Sequence, residues 1–262
     1  MAPKQDIRFC TTSDGVRLAT ATTGEGPPLI RVGTWLSHLE CDAREPNTWE
    51  TVQEFSRNHT YVRYDVRGCG LSDRHIPPLQ FENLVTDLAA VVEAHSQKPV
   101  PLYAMSCGAP VAIAYAARHP ERVSRLILLN GYGRAYFSAK HPQPALVEEA
   151  NMLLSSARIS WNNEKSVFRQ VFVSQLLGNA GTELRRQIDE RMRLSMTPEM
   201  AEQYLRRNYE MDVKAECARL KCPVLVLHAR GDQMVAFEQG RKLAAWIAGA
   251  RFVPLESDSH VL

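Results

Sequence analysis

Three residues in one chain order carry the chemistry. Ser106 stands in "LYAMSCGAP", where an apolar run of strand length stops and an Ala-rich helical pattern, "VAIAYAARHPERV", begins. Asp232 ends "VLVLHARGD" and His260 ends "FVPLESDSH", each just past another such run. A serine is a poor nucleophile until a base takes its proton, and that base needs an acid to hold its tautomer. Backbone N–H groups must also face the oxyanion that forms. A strand–Ser–helix turn exposes the hydroxyl, and its tightness demands small residues two positions to either side. Ala104 and Gly108 meet that demand, and Pro110 falls in the first helical turn, where a missing N–H is tolerated. The Cys107 N–H then opens the helix, where free donors and the macrodipole favour negative charge. Ser106 could instead be a cap, Asp232 a turn residue and His260 a loop residue. Those readings explain each residue alone and not the order of all three.

These residues need elements to position them. Short runs rich in Val, Ile, Leu and Tyr recur: "PPLIRVG", "TYVRYDV", "PVPLYAM", "VSRLILLNG", "CPVLVLHA" and "ARFVPLES". Bounded by Gly, Pro or charge, they read as buried parallel strands. Helical patterns separate several of them: "FENLVTDLAAVVEAH", "APVAIAYAARH" and "FEQGRKLAAWIAG", the last with Gly249 as its expected C-cap. Strands alternating with helices predict an α/β fold, a mostly parallel sheet with helices on both faces. The alternation breaks between about Arg134 and Asp212. There "PALVEEANMLLSSARIS", "EKSVFRQVFVSQLLG", "GTELRRQIDERMRLS" and "TPEMAEQYLRRNYE" read as amphipathic helices, Thr197 capping the last ahead of Pro198. A helical insertion beside the C-terminal edge of a sheet is a natural lid.

The bulk numbers fit one such domain. The 262 residues are 45% hydrophobic and 23% charged, as in an ordinary soluble protein. With 31 Lys and Arg against 29 Asp and Glu the net charge is +2, so nothing points to nucleic acid or an anionic membrane. No run of about twenty apolar residues predicts a membrane span, and the N-terminal residues lack the apolar core of a signal peptide. A cytoplasmic protein is expected, its six cysteines free thiols. Cys217, Cys222 and His228 have the wrong spacing for a zinc site. "NGYGRAY" lacks the third glycine of a dinucleotide fingerprint. No metal and no cofactor are expected.

The stretches "FCTTSDGVRLATATTGEGPPLIRV", "WLSHLE", "VRYDVRGCGLSD", "AIAYAARHPERVSRLILLNGYGR", "FRQVF" and "VLVLHARGD" extend the pattern along the whole chain. Together they resemble the α/β-hydrolase superfamily, most nearly the bacterial hydrolase modules found beside or fused to LuxR-type regulators and adenylate cyclases. The resemblance implies Ser106 as nucleophile, His260 as base and Asp232 as acid. It implies an oxyanion hole made by the Cys107 N–H and one from the loop after "LIRVG", with Trp35 the first choice and Thr34 the second. His38 and Met105 are expected to line the substrate pocket. Asp65 and Arg67 are expected to fix a loop.

The domain reading is a hydrolase core in two parts, 1–133 and 213–262, interrupted by a helical cap over 134–212. The second part stops two residues after His260, so the last helix usual in the family is missing from this reading. The expected activity is that of an esterase-like serine hydrolase acting on a small-molecule acyl substrate through an acyl-enzyme, with no nucleic acid or membrane partner and a homodimer left open. Met152, Leu153, Phe168 and Phe172 of the cap favour an apolar acyl group. The rival readings are a ligand-sensing module of a signalling protein, and other chemistry on the same fold.

Overall fold

All six apolar runs form strands, and two more precede them. The computed structural model describes residues 5–135 and 144–261. Within these the chain runs β1 (Asp6–Thr11), β2 (Arg17–Thr23), β3 (Pro28–Arg31), α1 (Leu39–Arg44), α2 (Pro46–Ser56), β4 (Thr60–Tyr64), α3 (Phe81–His95), β5 (Val100–Met105), α4 (Gly108–Arg118) and β6 (Val123–Leu129). It continues with α5 (Pro144–Ser160), α6 (Val167–Leu177), α7 (Thr182–Ser195), α8 (Pro198–Glu210), α9 (Lys214–Cys217), β7 (Val224–Ala229), α10 (Phe237–Trp246) and β8 (Arg251–Leu255). The strands make one eight-stranded sheet in the order β1-β2-β4-β3-β5-β6-β7-β8. From β4 to β8 all pairs are parallel, while β1–β2 and β2–β4 are antiparallel.

The sequence reading missed β1 and β2 because neither is an unbroken apolar run. β1 lies at the sheet edge with Phe9 exposed, and it turns into β2 through "TTSDG", where Gly15 takes a left-handed φ of 87°. The central strands are buried on both faces, hence their continuous apolar character. Alternation sends Ile30, Leu102, Ala104, Leu126, Leu128 and Val226 into the large core that α3, α4 and α10 complete. It sends Leu29, Tyr103, Met105 and Leu129 to the opposite face, where Trp49 and Phe55 of α2 pack. Helix α10 ends at Trp246, three residues before the expected Gly249. Gly249 instead occupies the turn into β8 with φ 72°.

The four helices α5–α8 separate β6 from β7. The chain leaves and returns through a two-stranded neck: Ala135 N–H donates to Met211 O (2.8 Å), Val213 N–H to Gly133 O (2.8 Å), and the Arg134 guanidinium pairs with Asp212 (2.9 Å). Thr197 caps α8, its hydroxyl accepting from Met200 N–H at 3.3 Å. The helices are fastened to the core at separate points. Tyr204 donates its hydroxyl to Arg67 O (2.8 Å), and Gln203 accepts from Leu79 N–H (2.9 Å). Arg191 of α7 reaches Glu45 (2.9 Å) and Thr48 (2.8 Å). Among the described residues no helix is long and apolar enough to cross a membrane.

Candidate active site

The turn after β5 is strained. Ser106 has φ +50°, left-handed for an L residue without a local polar reason to be there. Its N–H donates to Leu129 O at 3.0 Å, so the ladder with β6 holds the strained residue itself. Its carbonyl accepts from Ala109 N–H, also at 3.0 Å, starting α4. The small neighbours have specific reasons. A Cβ on Gly108 would lie 3.4 Å from both Thr34 Cγ2 and Val32 O, and a Cβ on Gly131 would lie 2.5 Å from Ala109 Cβ. Helix α4 is thus wedged between the segments that leave β3 and β6.

Asp232 and His260 meet at the ends of β7 and β8. Asp232 Oδ2 lies 2.7 Å from His260 Nδ1. The other carboxylate oxygen accepts from Met234 N–H (2.8 Å) and Val235 N–H (3.0 Å), which fixes the carboxylate plane. With Nδ1–H donating to Asp232, Nε2 is the free base position. That atom is buried, without a hydrogen-bond partner among the described residues, and His260 lines the same cavity as Ser106. No hydrogen bond joins it to the Ser106 hydroxyl in the unliganded site, where such contacts commonly stay long.

Two residues outside the sequence pattern support this pair. Asn130, fully buried at φ +48°, donates from Nδ2 to His260 O (2.7 Å) and accepts from Ala229 N–H (2.8 Å). His228 donates from Nε2 to Val235 O at 2.8 Å and lies 3.7 Å from Asp232 Oδ2. Burial lowers its pKa, which keeps the ring neutral beneath the acid. The His260 N–H is donated to Leu176 O of α6 at 3.0 Å, so the helical insertion also holds the histidine loop.

On the other side of Ser106, the loop after β3 passes over the start of α4. The Cys107 thiol is pushed up to about 11 by burial, against smaller opposing contributions from the Trp35 and Cys107 N–H groups and the Ser106 hydroxyl. Trp35 and Cys107 line the same cavity, next to Ser106. The Trp35 indole packs edge-on against Phe172 (5.3 Å) and near Trp161 (6.1 Å), both from the insertion. Asp65 braces the loop from below, accepting from Leu39 N–H (3.1 Å) and Leu71 N–H (2.8 Å). Burial pushes its carboxyl up to about 7. Arg67 is locked between Asp87 (2.5 Å) and Asp14 (2.7 Å) beneath α8.

Ser106, Cys107, His260, Thr34, Trp35 and Met105 all line one cavity of about 360 Å³, of a size suited to a small organic ligand. His38 does not line it. It precedes α1, its carbonyl accepting from Asp42 N–H at 3.0 Å, and Ser37 takes the wall position instead. Much of the wall is apolar and comes from the insertion, including Leu153, Phe168, Phe172, Ile188 and Met192. The charged residues that line it are Arg31, Asp42, Arg63, Arg134 and Arg191.

The model of the alpha/beta hydrolase fold family matches residues 46–262. The chain belongs to that family. Among curated relatives, an AB hydrolase superfamily protein of Bacillus subtilis, YisY, is 23% identical over 96% of this chain and 91% of its own. A rhodomycin D methylesterase of a Streptomyces species, DauP, is 27% identical over 78% of this chain and 76% of its own. The solved esterase from Exiguobacterium antarcticum superposes with a TM-score of 0.82 at 20% identity, covering 97% of this chain and 92% of that one. In this alpha/beta hydrolase the order Ser106, Asp232, His260 falls at the ends of β5, β7 and β8, on the C-terminal edge of the sheet. Asn130 gave one signal in the sequence, an Asn-Gly pair ending an apolar strand. His228 gave none, since a histidine within an apolar run reads as core.

Proposed function

We propose that this chain is a serine hydrolase that cleaves carboxylic esters or related acyl compounds through an acyl-enzyme on Ser106. The observation that carries the reading is the 2.7 Å His260–Asp232 contact, which leaves Nε2 buried and partnerless in the cavity that Ser106 also lines. Asp232 holds the tautomer with Nδ1 protonated. As substrate enters, His260 Nε2 takes the Ser106 proton while Oγ attacks the acyl carbonyl. The oxyanion is received by the Cys107 N–H at the start of α4 and by the Trp35 N–H. His260 then protonates the leaving alcohol, and water repeats the cycle on the acyl-enzyme. Thr34 packs its methyl on Gly108 and shapes the hole from outside. Residues 134–212 act as the cap, whose helices wall the cavity and hold His260 through Leu176; residues 136–143 of this span lie outside the described residues. The esterase and methylesterase among the relatives support an ester as substrate, and the setting in this reading is the cytoplasm.

Labelling with a fluorophosphonate, read by intact mass on wild type and Ser106→Ala, tests this directly. One adduct on wild type and none on the variant is expected, and ester turnover should fall by roughly 10⁴-fold or more in the variant. An unlabelled but folded wild type would reject the acyl-enzyme and favour the ligand-sensing role suggested by the resemblance to regulator-associated modules.

A further inference from the structure

Arg31 ends β3 in register with Tyr103, and alternation turns its side chain to the face of Leu29 and Met105. Its guanidinium lines the cavity, and the one hydrogen bond it makes among the described residues is to Met105 Sδ at 3.7 Å. A thioether neutralises no charge. The nearby carboxylates are already engaged. Asp42 receives Arg63 at 2.7 Å and Arg191 at 3.4 Å, and Glu45 receives Arg191 at 2.9 Å. Although burial alone would raise the Asp42 pKa, Arg191, Arg63 and, more weakly, Arg31 bring it below the usual carboxylate range, and of the three only Arg63 and Arg191 pair with it directly. Arg31, Arg63 and Arg191 against Asp42 and Glu45 leave one positive charge over. A half-buried guanidinium that feels Asp42 only through space, with no carboxylate in ion-pair reach among the described residues, is costly to keep, and it lies beside the residue that immediately precedes Ser106.

We infer that Arg31 receives a carboxylate carried by the substrate, in the part of the cavity beside Met105. The inference rests on the hydrolase reading and deepens it: the substrate is a monoester or lactone of an acid that bears a second, free carboxylate. The surplus of one charge matches a monoanion better than a phosphate dianion. The planar guanidinium fork also suits a carboxylate bound through both oxygens.

A matched pair of substrates reads this out. Monomethyl adipate and methyl hexanoate share chain length and scissile bond and differ in the terminal carboxylate. Wild type should hydrolyse the adipate with a kcat/KM roughly 10- to 100-fold higher. Arg31→Met, of similar length and apolar, should bring the ratio of the two kcat/KM values to about one, and Arg31→Lys should keep part of the preference. No preference in wild type, or an equal loss on both esters in Arg31→Met, would overturn the inference. A second arm does not depend on catalysis: calorimetric binding of monomethyl adipate to the Ser106→Ala protein, with and without Arg31→Met. Binding weakened tenfold or more by loss of Arg31 supports the site, and equal binding rejects it. Failure of the hydrolase reading shows separately, as a missing fluorophosphonate adduct.

Discussion

Replacing Asn130 with alanine removes two buried hydrogen bonds at once. Ala229 N–H and His260 C=O, at 2.8 and 2.7 Å in the native site, lose their partner in a place where the asparagine itself is fully buried. Each orphaned group costs about 1–3 kcal/mol. Holding alanine at φ +48° adds about 1 kcal/mol, since asparagine tolerates the left-handed region and alanine does not. The sum is about 5 kcal/mol at mid-range, which for a chain of this size lowers Tm by roughly 15 °C. Asn130→Gly removes the same bonds without the φ cost and should sit about 1 kcal/mol above the alanine variant. The functional effect is larger than a stability loss alone, because Asn130 and Leu176 hold the His260 backbone from opposite sides. Fluorophosphonate labelling well below Tm should slow by roughly 10- to 100-fold, as expected when a base shifts by an ångström. Stability comes from denaturant titration and labelling from time-resolved intact mass. A loss under 1 kcal/mol with an unchanged labelling rate would refute the claim that Asn130 positions the histidine.

Arg67→Met should cost roughly 3–5 kcal/mol in denaturant titration, because Asp87 stays buried with its cation gone; a cost below 1 kcal/mol would mean that water replaces the pair. Gly240→Ala would place a Cβ 2.6 Å from His228 Cγ, so the ring and the Asp232 loop above it must move. Labelling of Ser106 should slow while helicity by circular dichroism is kept, and an unchanged rate would remove His228 from the support of Asp232. With its pKa raised from 9.0 to about 11, Cys107 stays a neutral thiol. At pH 8 its thiolate share drops from about one in ten to about one in a thousand, and stability is drawn down only as pH climbs from about 9 toward 11. Iodoacetamide at pH 8 should therefore leave Cys107 unmodified in folded protein and alkylate it after denaturation, by peptide mass mapping.

The parts of the fold legible in the sequence are those with a strong period or composition. Strands β3 to β7 are apolar because both faces are covered, β8 is a part-buried edge strand that still carries an apolar run, and α3, α5 and α8 carry helical periodicity or a capping threonine. β1 and β2 escaped because an exposed edge and its polar neighbour need no apolar run, and α1 and α2 because α1 spans only six residues and α2 presents one fully buried side chain, Val52. In the candidate site, the Ser, Asp and His positions were legible because chain order and strand ends mark them. The supporting groups were not. Asn130 and His228 act through contacts spanning up to 130 residues of sequence or through a ring hidden under a loop, and no local pattern encodes either. His38 was assigned to the pocket from its nearness to the loop, but the backbone turn at Leu36, φ 67°, presents Ser37 to the cavity instead.

That turn belongs to a wider arrangement. Among the described residues, the non-glycine positions with positive φ are Leu36, Ser106 and Asn130. They follow β3, β5 and β6, the three adjacent central strands, on the C-terminal edge of the sheet. Each departure from the favoured region costs on the order of 1 kcal/mol and persists only where the surroundings over-determine it. Here they do: Ser106 N–H is held by Leu129 O, Asn130 N–H by Leu227 O, and the loop containing Leu36 is braced by Asp65. In the proposed mechanism the three strained residues serve three different requirements of one reaction: to expose the nucleophile, to anchor the base and to aim a donor at the oxyanion. A sheet buried on both faces is stiff enough to hold all three at once. Relaxing Ser106 with glycine should therefore relieve about 1 kcal/mol of backbone strain while abolishing acylation, whereas Asn130→Gly still loses its two buried hydrogen bonds. At Ser106 the opposite signs of the two effects separate functional strain from a packing defect.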